Sequence, residues 1–518
     1  MAHFRFRRSF GNVGTRRFRG ARPLGSTPAF SAEAQNYFSR LDAAGDTTYT
    51  TYKQPLANYI DSLVAMGGAY WDDMKSSTSF VGVGIQGITV PLRDGMTVPT
   101  NNNFVASDLD QTTGLLCNGT TKRISTNTNQ SNYAQNDTSV SVYRTEDVSG
   151  ANPFYFGTNL ANGIGARQSL VTACYGTQAI TGSATTAVGL IGLSRSASTG
   201  YDYRSNGTTG TRTETSATPA AGNLDIFAIN GTTSGSSRLA TYHAGPALDL
   251  ATLEGLQATL ISEIVAAKAF AAAASYFSRL VAAGDTTHVA YKQPLTNYIT
   301  SLVELGGAYW DTMLSATSFV GVGIQGVTVP LRDGMTVPTQ SNFVASDLDQ
   351  LTGLKGDGST KYINTNLTGS NTTQDDVSTS VYLTAADQRT SNYNWNGNGA
   401  NQDGSLHFQC LNGTGVYARC QSSSRQSLET IDTTTKTGFC GLNRASSTTY
   451  NYLLDTVSGS NTVTSQVPLN SALSVFTSQG SSSAATSARL ATYHYGPALN
   501  LATLENLQET LLLEISAI

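Results

Sequence analysis

The sequence predicts a mainly β protein with helical segments: two tandem β-sandwich units, each preceded by a short helical bundle and closed by a helix. Three observations lead there. Only 13% of the 518 residues are charged while 50 are Gly and 24 Tyr, which favours turn-rich β structure over disorder. A stretch at 78–111, TSFVGVGIQGITVPLRDGMTVPTNNNFVASDLDQ, returns at 317–350 as TSFVGVGIQGVTVPLRDGMTVPTQSNFVASDLDQ. Short alternating runs such as TSVSVYRT and LDIFAIN lie between Gly, Asn and Ser, as in β-sandwiches.

The duplication sets the domain plan. Phe38 matches Phe277, and Trp71/Trp310, Phe80/Phe319 and Asp108/Asp347 keep the same spacing. The ends match again at SRLATYHAGPALDLATLEGLQ and ARLATYHYGPALNLATLENLQ, at a longer spacing, while the middles, about 130–235 and 370–485, have diverged. The expected order is an arm (1–24), a helical lead-in (25–75), a sandwich (76–247), and a closing helix, connector and second lead-in (248–315). A second sandwich (316–498) and a C-terminal helix (499–518) complete it. Ends that stay alike read as packing surfaces; a free middle reads as strands and loops able to specialise.

Each element has a local reason. The arm holds Arg5, Arg7, Arg8, Arg16, Arg17, Arg19 and Arg22 with four Phe and no acid, ahead of a body in which acids outnumber bases. It lacks the apolar core of a signal peptide. Ser31 and Glu33 open a first helix that stops near Gly45. Leu56, Tyr59, Ile60, Leu63 and Val64 make one apolar face of a second, ended by Gly67 and Gly68. From Ser79 the period changes to strands, beginning with SFVGVGIQGITVPL, whose glycines suit close backbone approach. Asp249 caps a closing helix with Leu253, Leu256, Leu260, Ile261 and Ile264 on one face. This is either one helix over 249–281, about 50 Å long, or two broken near Lys268. The apolar run there lies between Glu263 and Arg279 and contains Lys268, so no membrane insertion is expected. Cys117, Cys174, Cys410, Cys420 and Cys440 show no CxxC pair and no sharing between the copies, which points to free thiols. A Cys410–Cys420 pair across neighbouring strands stays open.

The segments GLLCNGTTKRISTN and GLKGDGSTKYINTN, with Gly358, Ser359, Thr360, Lys361, Tyr362 and Ile363, resemble the opening strands of concanavalin A-like (laminin-G-like) lectin jelly rolls. The closing RLATYHYGPALNLATLENLQ and the lead-in YFSRLVAAGDTTHVAYKQPLTNYITSLVELGGAYWDTM resemble such domains in bacteriophage virion structural proteins. The resemblance spans most of residues 32–518. It implies a head fibre, knob or capsid decoration protein at the virion surface, with the arm docked on capsid or tail proteins. It further implies a homo-oligomer, trimers being common in such fibres, and contact with a host-surface glycan. A receptor-binding tail fibre is the alternative, and a polysaccharide depolymerase a third reading.

No catalytic constellation is evident. Residues 76–247 hold only Glu146 and Glu214, and 316–498 only Glu429, too few acids for the paired carboxylates of glycoside hydrolysis, and no GxSxG, HExxH or P-loop occurs. His243 and His494, beside Tyr at a strand end, read as structural hydrogen-bond partners. No cofactor is expected. Asp108, Asp110, Asp347 and Asp349 are the weak candidates for Ca²⁺, against the simpler role of turn acceptors. For sugar binding the candidate is SNYNWNGNGANQDG, with Tyr393, Trp395, Asn394, Asn396 and Asp403, where an exposed indole would stack on a sugar face. Its counterpart in the first copy is NPFYFGTN. The arm fits a protein crevice, with Arg on carboxylates and Phe in pockets, better than nucleic acid.

Overall fold

The structure, a computed structural model, describes residues 30–146, 154–158, 162–167, 171–177, 179–180, 188–219, 221–229, 231–233, 236–388, 392–399, 402–411, 415–429, 434–478 and 485–518. The seven arginines of the arm, Arg5 through Arg22, lie outside the described residues.

Each unit opens with helices. In unit 1 these are α1 (Ala32–Ala43), α2 (Lys53–Ala65) and α3 (Gly68–Asp73). The Ser31 hydroxyl accepts from the Ala34 N–H at 3.2 Å, and Gly45 leaves α1 at φ +77°, where a side chain would be strained. Leu56, Tyr59, Ile60 and Leu63 are buried on α2, as their spacing predicts.

Two antiparallel sheets follow. One runs Thr208–Thr213, Gly200–Ser205, Gly189–Ala197, Thr138–Glu146, Arg238–Gly245, Gly114–Leu116, Leu109–Asp110, with Ser76–Ser79 also paired to Arg238–Gly245. The other runs Ala179–Ile180, Val171–Cys174, Ile164–Arg167, Phe154–Gly157, Asn223–Ile226, Arg123–Asn129, Thr100–Asn102. Unit 2 repeats both orders strand for strand. Apolar residues from both sheets and the helices share one core per unit, so the tandem β-sandwich plan holds.

The closing helix α4 (Leu250–Ala282) is continuous, about 50 Å long. Asp249 caps it through the Ala251 N–H, 2.9 Å. Leu250, Leu253, Leu260 and Ile264 enter the unit 1 core, and Ala269, Ala273, Tyr276 and Leu280 the unit 2 core. Its length and composition would suffice to cross a membrane, yet this face belongs to the two cores. Unit 2 continues with α5 (Lys292–Glu304) and α6 (Gly307–Thr312) and ends with α7 (Leu501–Ser516).

The duplicated stretch departs from the expected strand. Within 76–92 only Ser76–Ser79 forms a strand; residues 80–92 form a largely buried irregular loop with a 3-10 turn at Gly87–Thr89. The loop is threaded between helices and sandwich. Buried Asp46 accepts from the Thr48 N–H at 2.8 Å and the Gly84 N–H at 2.7 Å. A Cβ on Gly82, already at φ +70°, would fall 2.5 Å from Cδ1 of Ile264 on α4, and one on Gly87 would collide with the Asp46 carboxylate. In unit 2, Asp285 accepts from Gly323, 2.8 Å, and a Cβ on Gly321 would fall 2.6 Å from Cδ1 of Ile515 on α7. The stretch is alike in both copies because it is where lead-in, closing helix and sandwich meet.

All five cysteines are buried thiols outside any disulfide. Cys410 faces Val416 and Cys420 faces Leu406 across their strand pair, so those two are not opposed. The expectation that the copies share no cysteine is corrected. Cys174 pairs with Ile164 as Cys420 pairs with Leu406. Each also gives its carbonyl to a fully buried arginine: Arg195 Nε to Cys174 at 2.8 Å, Arg444 Nε to Cys420 at 2.6 Å.

Candidate functional site

The outer sheet of unit 2 carries the divergent middle of the chain. Strands Tyr393–Gly397, Ser405–Leu411, Gly415–Ser422 and Gln426–Glu429 lie side by side. Alternation sorts their side chains. Leu406, Phe408, Cys410, Val416, Ala418 and Cys420 face the core. Their neighbours face the other way. There His407 stands opposite Arg419, Gln409 opposite Tyr417, and Asn394 opposite Gln409.

This opposite face is polar and still buried: Asn394 and His407 are 0% exposed, Gln409 5% and Arg419 8%. The Arg425 guanidinium donates to Gln409 Oε1 at 2.6 Å and lies 5.0 Å over the Tyr417 ring. Arg419 pairs with Asp403 at 3.2 Å, Asp403 being largely exposed. Half-buried Tyr417 and Arg425, with Asp403, form the rim of the row. Several atoms have no hydrogen-bond partner among the described residues: both amide atoms of Asn394, His407 Nε2 and Arg419 Nε. A buried polar atom without a partner costs about 1–3 kcal/mol, so this row is incomplete by itself. Burial, reinforced by the charges of Arg419 and Arg425, pushes His407 down to about 3, so its ring is neutral at physiological pH. Neutral imidazole, amides and guanidiniums together can donate to and accept from a hydroxyl-rich ligand and pair with a carboxylate.

The expected sugar site is therefore corrected. Trp395 is 0% exposed, as are Tyr393 and Asn396. A bulge between Asn394 and Asn396 turns the indole into the core, where its ring lies 6.0 Å from Phe408. Asn396 Nδ2 donates to Thr379 Oγ1 of the other sheet at 2.7 Å. Of the five candidates only Asn394 and Asp403 belong to the polar row. His407, Gln409, Arg419 and Arg425 were missed; the alternation of LHFQCL and GVYARCQ was the signal that could have found them.

The four aspartates act as turn acceptors. Asp108 accepts from the Val105 N–H at 2.8 Å and pairs with Lys122 at 2.5 Å; Asp347 repeats this with Val344 and Lys361, 2.8 and 2.6 Å. Asp349 accepts from the Leu351 and Thr352 N–H groups. Burial alone would raise Asp110, but hydrogen bonds from Thr112 and Thr113 and the charge of Lys268 hold it below the usual carboxylate range. In Asp108 and Asp347 a peptide N–H and a lysine ammonium engage the two carboxylate oxygens, and Asp110 and Asp349 each hold a turn through Oδ1.

The two histidines are structural. His243 Nε2 meets the Tyr59 hydroxyl at 2.5 Å and Nδ1 the Ser77 hydroxyl at 2.9 Å; His494 Nε2 meets Tyr298 at 2.6 Å. Burial pushes both rings down to about 3. A cleft of about 750 Å³ between the units is lined by Asp110, Glu146, Arg238, Tyr309 and Asn500. Its arginine is already engaged, by Glu146 at 2.8 Å and the Gly114 carbonyl at 2.9 Å.

No protein-family model matches the chain, and no curated protein matches it. Among solved structures, domain 4 of AbnA, a GH43 extracellular arabinanase from Geobacillus stearothermophilus in complex with arabinotriose, is 14% identical with a TM-score of 0.27, over 38% of this chain and 98% of that one. The botulinum neurotoxin serotype D binding domain is 10% identical, TM-score 0.28, over 39% of this chain and 52% of that one. Domains LG4-5 of the mouse laminin alpha1 chain are 10% identical, TM-score 0.21, over 71% and 85%. At these scores the likenesses carry no ligand and no activity over to this chain.

Proposed function

We propose that this chain is a non-enzymatic binding protein of a bacteriophage virion surface, a head fibre, knob or decoration protein whose second sandwich takes a host-surface glycan. The observation that carries the binding reading is the buried polar row of unit 2, whose Asn394, His407 and Arg419 atoms lack partners among the described residues. The neutral groups suit sugar hydroxyls, and the two arginines favour a glycan bearing carboxylates. The virion setting is supported by the phage-like lead-in and closing segments, and the docking role by the arginine arm. The non-enzymatic reading is supported by the shortage of acids: Glu429 is the one Glu of residues 316–498, and hydrolysis needs two carboxylates flanking the bond.

A glycan array with the full-length chain tests the binding. Retention of acidic glycans is expected, and Arg419→Ala or Asn394→Ala should weaken it about tenfold or more. No retained glycan, or retention unchanged in both variants, rejects the site. Antibody-gold labelling of intact particles tests the setting. Label over the head is expected, label at the tail makes this a receptor-binding tail fibre, and particles without label reject the virion role.

A further inference from the structure

The solvent face of α4 differs from the same face of its duplicates. Ala258, Ser262, Ala266, Phe270, Ala274 and Val281 are exposed along it and none is charged. The charged residues of α4 are engaged sideways within the chain: Glu254 by Arg204, Glu263 by Asn58, Lys268 by Asp311, and Arg279 by the Pro330 and Leu331 carbonyls. In α1 the positions of Ala274, Ser275 and Val281 are Gln35, Asn36 and Asp42, and in α7 the position of Ala258 is Glu509. Large apolar groups stand out on α4 at Phe270, 75% exposed, and Val281, 64%; α7 shows one as well, Leu513, at the position of Ser262.

Beside this stripe lies an open groove of about 560 Å³, lined by Phe270, Ala273, Ala274, Phe277, Val281 and Lys292. Unit 1 shows what such a groove accepts. There the Phe30 ring sits edge-on at 5.3 Å from Phe38, the counterpart of Phe277. Lys53 lies 5.8 Å over Phe38 as Lys292 lies 5.5 Å over Phe277, so the two seats are built alike. In unit 2 the helix runs straight on from unit 1, and no residue of the chain takes the place of Phe30 among the described residues.

We infer that the occupant is a second copy of this chain, whose α4 packs antiparallel on the first about a two-fold axis at Ala274. Phe270 of each copy then fills the seat over Phe277 of the other, and each Val281 meets the partner helix near Ala266 and Ala267. Small residues at the axis let the helices approach closely, and two-fold symmetry makes the contact self-complementary. The groove's only charged lining residue is Lys292, which disfavours the arginine-rich arm as occupant and favours an uncharged face like its own. The shared stretch from Ala267 to Val281 is about 22 Å long. That is a small interface, so the dimer is concentration-dependent.

Light scattering on the full-length chain at rising concentration is the test. A dimer is expected at roughly 100 µM, with Phe270→Glu shifting the dissociation constant upward at least tenfold while the circular dichroism stays unchanged, since Phe270 is exposed. Ala274→Cys should give a disulfide-linked dimer under mild oxidation, because the native thiols are buried. A monomer throughout, a dimer indifferent to Phe270→Glu, or an Ala274→Cys chain that fails to cross-link overturns the proposal. So does a monomer whose groove becomes reactive only after residues 1–29 are removed, which assigns the seat to the arm.

Discussion

Unit 1 and unit 2 share the strand order of both large sheets, yet matched positions carry opposite chemistry. Against the outer sheet of unit 1, Phe154, Ala173 and Ile229 form a small apolar cluster; the same places in unit 2 hold Asn394, Arg419 and Ser478. At the closing helix the contrast concerns charge. Glu254 of α4 accepts from Arg204 Nε at 2.6 Å, the Leu190 N–H at 3.1 Å and the Gly207 N–H at 3.1 Å. Its counterpart Glu505 on α7 has Leu453 where Arg204 stood, and lies with Asp455 and Glu509, their oxygens all within 4.8 Å. Burial, then Glu509 and Asp455, push Glu505 up to about 7 against the pull of Lys436. The difference teaches that the sandwich tolerates either chemistry on its outer face and at its helix seat, so long as the core and the glycine loop stay fixed.

The largest expected effect separates the units as folding bodies. Trp395→Ala empties a fully buried site and should cost about 4 kcal/mol, seen as an earlier second transition in urea with the unit 1 transition unmoved. Equal movement of both transitions would make the two units one cooperative body. Next, Arg204→Leu gives unit 1 the unit 2 arrangement. It should cost about 2 kcal/mol by leaving Glu254 half-buried without its cation; no change in the first transition would remove the pair from the comparison.

The smallest effect is one of pH. Glu505 has a folded pKa above its unfolded one, so it holds a proton in the native state that the unfolded chain has already released. Its stabilisation is complete below about pH 4.5 and is lost as pH rises through about 7. After solvent screening the loss is on the order of 1 kcal/mol. Leu453→Arg should flatten this slope, read as the unit 2 melting temperature from pH 5 to 8. An unaltered slope would point to groups other than this carboxylate cluster.

Much of the helical frame was legible because caps and apolar spacing act locally. Ser31, Asp249 and the face through Leu56, Tyr59, Ile60 and Leu63 all behave as their neighbours in sequence demand. The loop at 80–92 was not, since its apolar alternation mimics a strand while its glycines answer to contacts with Asp46 and Ile264, remote in sequence. Trp395 misled for a related reason. Asn and Gly around it read as loop, but a bulge and a paired strand turn the indole inward. Cys174 and Cys420 looked unrelated because the diverged middles align only through strand register and the buried arginines.

The continuous helix α4 also changes what counts as a repeat. Its first half is the last element of unit 1 and its second half the first element of unit 2, while α7 and α1 are those same two halves held apart at opposite ends of the described chain. The boundary of the duplication therefore runs through the interior of a rod. A cut at Lys268 would strip neither sandwich of a strand, yet each would end in a severed half-helix. A permuted chain that joins Ile518 to Phe30 and opens instead within α4 would exchange which junction is whole and which is split, leaving both sandwiches with the same parts.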